Sequence, residues 1–272
     1  MPELPEVEVV RRGLGSLVEA RRVVRVEHLS SGLRYPFPAD MAEYLPGRVC
    51  EYVRRRAKYL LFGFGERVMT WHLGMTGQFH LLPADTAPVR HEHVRIDFED
   101  GQSLRYRDAR RFGYVGLFPA RTWQQHQWFS GLGPEPLELG FDVEYLRSRC
   151  VGRHAPIKNV LMDARTVVGV GNIYAAESLY RAGIHPARAA GRISQARLVL
   201  LVDAVRRVLQ EAIEAGGSSI SDFVRVDGRP GYFAHAFHVY GRTGERCGKC
   251  DGTIRRIVQA GRSSFYCPGC QR

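Results

Sequence analysis

Apolar residues recur at Val7, Val10, Leu14 and Leu17, one face of a helix near the start of the chain. The rhythm then shortens to the alternation of strands over Arg22–His28, Arg48–Arg56, Tyr59–Phe64, Val68–Leu73, Gln78–Leu82, Val94–Phe98 and Ser103–Tyr106. Glu99-Asp100-Gly101-Gln102 reads as a hairpin turn between the last two. This half therefore predicts a β-sandwich or barrel with a helix leading in. A Gly- and Pro-rich stretch, Gly131-Leu132-Gly133-Pro134-Glu135-Pro136, marks a boundary, after which the period becomes helical. Ile173, Ala176, Leu179 and Tyr180 share one face. Leu198, Leu201, Val202, Val205, Leu209 and Ile213 form a longer stripe, with Ser194 as its N-cap and Gly216-Gly217 as its end.

A length of 272 residues accommodates two domains, each with its own core. The formal charge of +11 points to a polyanionic partner, although a basic enzyme from an arginine-rich proteome would look the same. Only Lys58, Lys158 and Lys249 are lysines, so each is a position where a compact ammonium could be required. The first ten residues hold three carboxylates and no basic region, unlike a secretory signal. No apolar run is long enough to cross a membrane. A cytoplasmic monomer is expected.

Cys247-x2-Cys250 and Cys267-x2-Cys270 stand sixteen residues apart, the spacing of a zinc ribbon. Four thiolates suit tetrahedral Zn²⁺, and a fully protein-ligated site is structural. Two disulfides are the competing reading. Between the pairs, Ile254–Gln259 and Ser263–Tyr266 read as strands around an Ala260-Gly261 turn, which puts Arg262 at a hairpin tip. There it could grip a phosphate or simply be solvated. Cys50 and Cys150 read as small buried residues.

Met1-Pro2 is a start from which methionine is removed, exposing a secondary amine with an ordinary pKa near ~8. Such an amine can attack an aldehydic carbon and form an iminium, and Glu3 beside it could act as acid or base. Taken alone, Pro2 reads as a remnant of processing.

Several motifs together resemble the bacterial formamidopyrimidine-DNA glycosylase family. They are Pro2-Glu3-Leu4-Pro5-Glu6-Val7-Glu8, Arg56-Ala57-Lys58-Tyr59-Leu60-Leu61 and His72-Leu73-Gly74-Met75-Thr76-Gly77. Asp108-Ala109-Arg110-Arg111-Phe112-Gly113 and Val168-Gly169-Val170-Gly171-Asn172-Ile173-Tyr174-Ala175 follow. Gly228-Arg229-Pro230-Gly231-Tyr232-Phe233 and Arg262-Ser263-Ser264-Phe265-Tyr266-Cys267 complete the series in the family's order.

The resemblance implies an α+β protein of two domains. Residues 1–130 would be an N-terminal β-sandwich catalytic domain with flanking helices, and 131–150 a linker with a first helix. Residues 151–240 would be a helix–two-turn–helix DNA-binding domain, including a lesion-capping lid at 217–232. Residues 241–272 would be a four-cysteine zinc finger built on a β-hairpin, holding one structural Zn²⁺. The implied activity is excision of oxidised purines from double-stranded DNA, followed by strand cleavage. Pro2 would be the nucleophile, Glu3 would protonate the opening sugar, and Lys58 and Arg262 would assist the two eliminations.

The damaged base must leave the stack to be reached. Met75, Arg110 and Phe112 match the family's void-filling trio, although Met75 and Phe112 taken singly read as core. His72, His91, His154 and Lys158 fall where the family contacts phosphates; a lysine or arginine is expected at 154, and Arg153 could take that role. Lys58 would share a strand face with Arg54 and Arg56. Asn172 opens a helix whose free N–H groups could bind phosphate, although the glycines before it need be only a tight turn. The related endonuclease VIII branch starts Pro-Glu-Gly-Pro, and Leu4 here favours oxidised purines over oxidised pyrimidines. A non-enzymatic zinc-ribbon DNA-binding protein is the remaining alternative.

Overall fold

The computed structural model describes residues 1–218 and 237–272. Contacts group the chain into two compact units, Met1–Ser130 with Gly216–Tyr232, and Gly131–Ala215 with Phe233–Arg272. The expected lid lies, beyond Ser218, outside the described residues.

The first unit opens with helix α1, Leu4–Val18, whose buried stripe includes Val7, Val10, Leu14 and Val18. Eight strands follow among the described residues: β1 Val23–His28, β2 Tyr52–Arg56, β3 Tyr59–Phe64, β4 Arg67–His72, β5 Gln78–Pro83, β6 Glu92–Phe98, β7 Gln102–Arg107 and β8 Tyr114–Pro119. They form two antiparallel four-stranded sheets, ordered β1-β6-β7-β5 and β2-β3-β4-β8. One apolar core joins both sheets and α1, with Trp71, Phe62, Phe79, Ile96, Tyr106 and Leu14 in it. The sandwich is as the alternating pattern predicts.

Every residue of β6 is buried, so its polar side chains need partners. Glu92 pairs with Arg105 at 2.9 Å with both side chains fully enclosed, and Asp97 takes Arg25. Arg105 also donates to the carbonyls of Pro83, Ala84 and Thr86, holding the strand-exit loop after β5.

Strand β8 escapes the alternation pattern because Gly116 interrupts it. A Cβ there would meet the Phe118 ring at 2.4 Å and Trp128 at 2.8 Å, so glycine makes room for aromatic packing. The one-turn helix α2, Met41–Tyr44, is too short to show a period. The strand expected from Arg48 begins only at Tyr52, since Cys50 exchanges backbone hydrogen bonds with Ala20 and Arg21 instead.

The second unit contains α3 Val143–Cys150, α4 Ile157–Met162, α5 Asn172–Arg181 and α6 Gln195–Glu214. Their core includes Leu146, Leu161, Tyr174, Leu179, Leu201, Val205 and Leu209. Ser194 occupies the N-cap of α6, though its side chain makes no capping bond, and Gly216 and Gly217 take left-handed φ values of 80° and 81° beyond the helix. Strands β9 Arg255–Gln259 and β10 Arg262–Tyr266 pair around Ala260 and Gly261, with φ values of 46° and 73°, the left-handed pair of a tight hairpin turn. Cys50 and Cys150 are buried, and burial pushes their thiols up to about 12 and about 11, so both are inert.

Glu177 on α5 ties this unit together. Its buried carboxylate accepts the backbone N–H groups of His238, Val239 and Tyr240, the segment that leads into the zinc-binding module. Glu177→Leu strands these donors and should cost about 3 kcal/mol or more, lowering the thermal midpoint by roughly 6 °C or more. Calorimetry checks this.

Candidate active site and nucleic-acid interface

The start of α1 is built as a reciprocal cap. Glu3 is the N-cap in extended geometry, its side chain accepting the Glu6 N–H while the Glu6 carboxylate accepts the Glu3 N–H at 2.8 Å. The other Glu6 oxygen accepts both the backbone N–H and the hydroxyl of Ser218, each at 2.9 Å. Pro2, Glu3 and Glu6 are all buried, so the first residues are held rather than frayed. The spacing Glu3-x-x-Glu6 is itself a capping signature, and this role of Glu6 was open to reading from the sequence alone. The bond to Ser218 was not.

The α-amine of Met1 carries a lowered pKa. Burial is the largest cause. The carboxylates of Glu3 and Glu6 oppose it, and the cations of Lys58 and Arg110 add to it. The first unit thus gathers the terminal amine, Glu3, Lys58 and Arg110 into one electrostatic neighbourhood.

Lys58 sits differently from the expectation that it shares a face with Arg54 and Arg56. Strand β2 ends at Arg56, which pairs with Tyr59, and Ala57 takes a left-handed φ of 54°. Lys58 is therefore in the two-residue turn between β2 and β3, where the strand alternation no longer applies.

His72 ends β4. Its ring stacks on Tyr114 at 4.8 Å and meets Tyr59 edge-on. Its Nδ1 accepts the Gly74 N–H at 3.0 Å, which leaves the proton on Nε2. Burial first, then the cations of Lys58 and Arg34, pushes the ring down to about 3. His72 is a neutral donor at any physiological pH.

Two turns carry the proposed wedge residues. Met75 lies in the turn between β4 and β5; Arg110 and Phe112 lie between β7 and β8. Met75 is 37% exposed and Phe112 45%, which rules out the core reading that each would receive alone. The Arg110 guanidinium lies over the Phe112 ring at 4.8 Å. His91, just before β6, is exposed and left-handed with a φ of 66°.

In the second unit, Lys158 is 1% exposed, with Nζ donating to the Ser263 carbonyl at 3.0 Å and the Ser264 hydroxyl at 2.6 Å. The Asn172 amide also donates to the Ser263 carbonyl, at 3.0 Å. Both side chains brace β10 beside Arg262, which is exposed on the first position of that strand. His154 is exposed and Arg153 half-buried in the loop before α4.

The four cysteines converge with all their sulfurs within 4.8 Å of one another. Cys247 and Cys270 approach to 3.7 Å, and Cys250 and Cys267 to 3.4 Å. Tetrahedral Zn²⁺ with bonds of about 2.3 Å requires sulfurs about 3.8 Å apart, so this donor set fits one structural zinc ion. The Tyr180 hydroxyl reaches Cys247 Sγ at 3.2 Å, linking α5 to the metal shell.

Three family models cover most of the chain. Residues 1–115 match the formamidopyrimidine-DNA glycosylase N-terminal domain, 132–224 its H2TH domain, and 244–272 a zinc finger found in FPG and IleRS. The chain belongs to the formamidopyrimidine-DNA glycosylase family. Relatives of that name from Alkalilimnicola ehrlichii and Stenotrophomonas maltophilia are each 48% identical, with full coverage of both chains. A Lactococcus lactis FPG mutant bound to Fapy-dG DNA is 33% identical with a TM-score of 0.93 and full coverage of both chains. MutM in complex with DNA containing carbocyclic 8-oxo-G is 34% identical with a TM-score of 0.91, again over both whole chains. Among the described residues, no helix is long and apolar enough to cross a membrane.

The reluctance of the buried His72 ring to take a proton makes stability depend on pH. Below pH 6.5 the unfolded ring takes a proton that the folded ring refuses until about pH 3, so stability falls as pH drops through that window. His28, His80, His185 and His238 are shifted down by burial too and share the slope. His72→Asn, whose Oδ1 can replace Nδ1, should flatten part of it in thermal melts between pH 7 and 4. For the metal, titration with a thiol-reactive mercurial should release one zinc per chain and abolish duplex binding; release without loss of binding would contradict the hairpin's role.

Proposed function

We propose that this member of the family is a bifunctional DNA glycosylase and abasic-site lyase of base excision repair, acting on 8-oxoguanine and formamidopyrimidines. The observation that carries the reading is the buried Pro2-Glu3 start of α1, with the Lys58 ammonium in the electrostatic neighbourhood of the chain terminus. A catalytic amine must be partly neutral near pH 7, and an α-amine with an ordinary pKa near ~8 meets that need where a lysine does not.

After removal of Met1, the Pro2 nitrogen attacks C1′ of the damaged nucleotide as the C1′–base bond breaks. Glu3 delivers a proton to the sugar ring oxygen, opening the ring and leaving a cationic iminium. The iminium withdraws electrons and acidifies C2′. Loss of that proton expels the 3′ phosphate, with Lys58 as proton donor. Loss of the C4′ proton then expels the 5′ phosphate with Arg262 as donor, and water hydrolyses the remaining iminium, freeing Pro2 and releasing the unsaturated aldehyde. Three of these residues belong to the first unit and Arg262 to the second.

Met75, Arg110 and Phe112 would fill the space that the flipped nucleotide leaves, the apolar pair replacing lost stacking and the arginine pairing with the widowed cytosine. His72, as a neutral Nε2 donor, His91 and Arg262 have the exposure or proton placement needed for phosphate contact. His154 or Arg153 would add one at the head of α4. Lys158 and Asn172 would act at the same strand, with their bonds to Ser263 and Ser264 holding the hairpin in register. We place residues 151–240 as the helix–two-turn–helix domain with its lid at 217–232, between a catalytic domain over 1–130 and the zinc finger over 241–272. The enzyme would work as a cytoplasmic monomer on nucleoid DNA.

Borohydride reduction should trap a covalent adduct between the chain and 8-oxoguanine duplex, mapping to Pro2. Glu3→Gln should lose base excision by roughly 10²-fold or more while holding DNA with unchanged affinity. Absence of the adduct, or retained excision, would remove these residues from their roles.

A further inference from the structure

We infer that Asp108, acting with Thr76, is the positioning residue of the wedge: one buried carboxylate joins the Met75 turn and the Arg110–Phe112 turn into a single rigid body. The inference rests on the extrusion role proposed above for those tips and explains what holds them in place.

Asp108 is fully buried at the end of β7, with its carboxylate facing both turns. Oδ1 accepts the Thr76 hydroxyl at 2.5 Å and the Arg110 N–H at 3.3 Å. Oδ2 accepts the Gly113 N–H at 2.7 Å. Thr76 Oγ1 in turn accepts the Arg110 N–H at 3.1 Å. A residue adjoining Met75 and the backbone of Arg110 thus converge on one oxygen, while the other oxygen closes the turn just past Phe112.

The turns also touch backbone to backbone. A Cβ on Gly74, which has a left-handed φ of 63°, would strike the Gly113 nitrogen at 2.3 Å and the Phe112 carbonyl carbon at 2.4 Å. A Cβ on Gly113 would come within 3.0 Å of Asp108 Oδ2. Beneath, His93 Nε2 donates to the Asp108 carbonyl at 2.9 Å, and its Nδ1 lies 3.0 Å from the Ser30 hydroxyl. Arg111, left-handed at φ 55°, anchors its guanidinium on the Gly32 carbonyl.

The arrangement separates two demands. The tips must be exposed and apolar to enter a base stack, and such residues are ordinarily free to collapse onto their own surface. Buried charge-assisted hydrogen bonds at their base remove that freedom without adding a side chain to the face that meets DNA. A wedge works by displacing bases, so a support that yields would lose the displacement.

The deciding variant is Thr76→Val, which keeps the shape and removes the bridging hydroxyl. Stopped-flow fluorescence of 2-aminopurine next to 8-oxoguanine should show duplex opening slowed at least roughly tenfold. Cleavage of a single-stranded abasic oligonucleotide, which has no base to extrude, should stay within about twofold of the parent value. Thr76→Ser should restore opening, and Asp108→Asn, which cannot accept on both edges, should slow it. Opening at the parent rate in either Thr76→Val or Asp108→Asn would overturn the proposal. So would a parallel loss of single-strand cleavage in Thr76→Val. Met75→Ala distinguishes the two levels: if it too opens DNA at the parent rate, the wedge reading itself has failed. If it slows opening while Thr76→Val does not, only the role of Asp108 and Thr76 has.

Discussion

A chain terminus frays unless something holds it, and the chemistry proposed for this molecule needs a terminus that does not. The Glu6 carboxylate supplies the restraint. One oxygen closes the cap on Glu3, and the other takes both donors of Ser218. Because Glu3 and Glu6 belong to the first turn of α1, and α1 is packed on the sandwich core, the position of Pro2 follows from the packing of the whole first unit. A nucleophile on a flexible loop would need separate ordering before each reaction; here folding has already ordered it.

The same economy of means recurs at the other proposed contacts. Exposed side chains sit on backbone that buried polar groups have immobilised: Arg262 beside Lys158 and Asn172, and Phe112 and Arg110 beside Asp108. Each support is a charged or amide group whose hydrogen bonds go mainly to backbone atoms. Such bonds define position more tightly than apolar contacts do, because they are directional and costly to break once buried.

Much of this was legible in the chain. The period of α1, the alternation of the strands and the two cysteine pairs each follow from local physics, and the Ala260-Gly261 turn falls where its residue types require. The family motifs extended the reading to Pro2, Glu3 and Lys58, which local pattern alone could not raise above ordinary processing and an ordinary basic edge. What local pattern missed has definite causes. Gly116 hid β8 by substituting space for a side chain, and Ala57 moved Lys58 off the strand by taking a left-handed conformation. The burial of Lys158 was not legible either, because nothing nearby in sequence reveals that its ammonium donates to Ser263 and Ser264, over a hundred residues on.

The scarcity of lysine has a practical side. Of the three, Lys158 is enclosed, Lys58 is half-buried, and Lys249 is exposed with its ammonium 4.6 Å from the Tyr180 ring centroid. Reagents that seek primary amines therefore find few targets on this strongly cationic surface, since guanidinium groups do not react with them under mild conditions. Lys249, exposed between the two cysteines of the first pair, is then a built-in address for a spectroscopic label that would report on the metal-binding module.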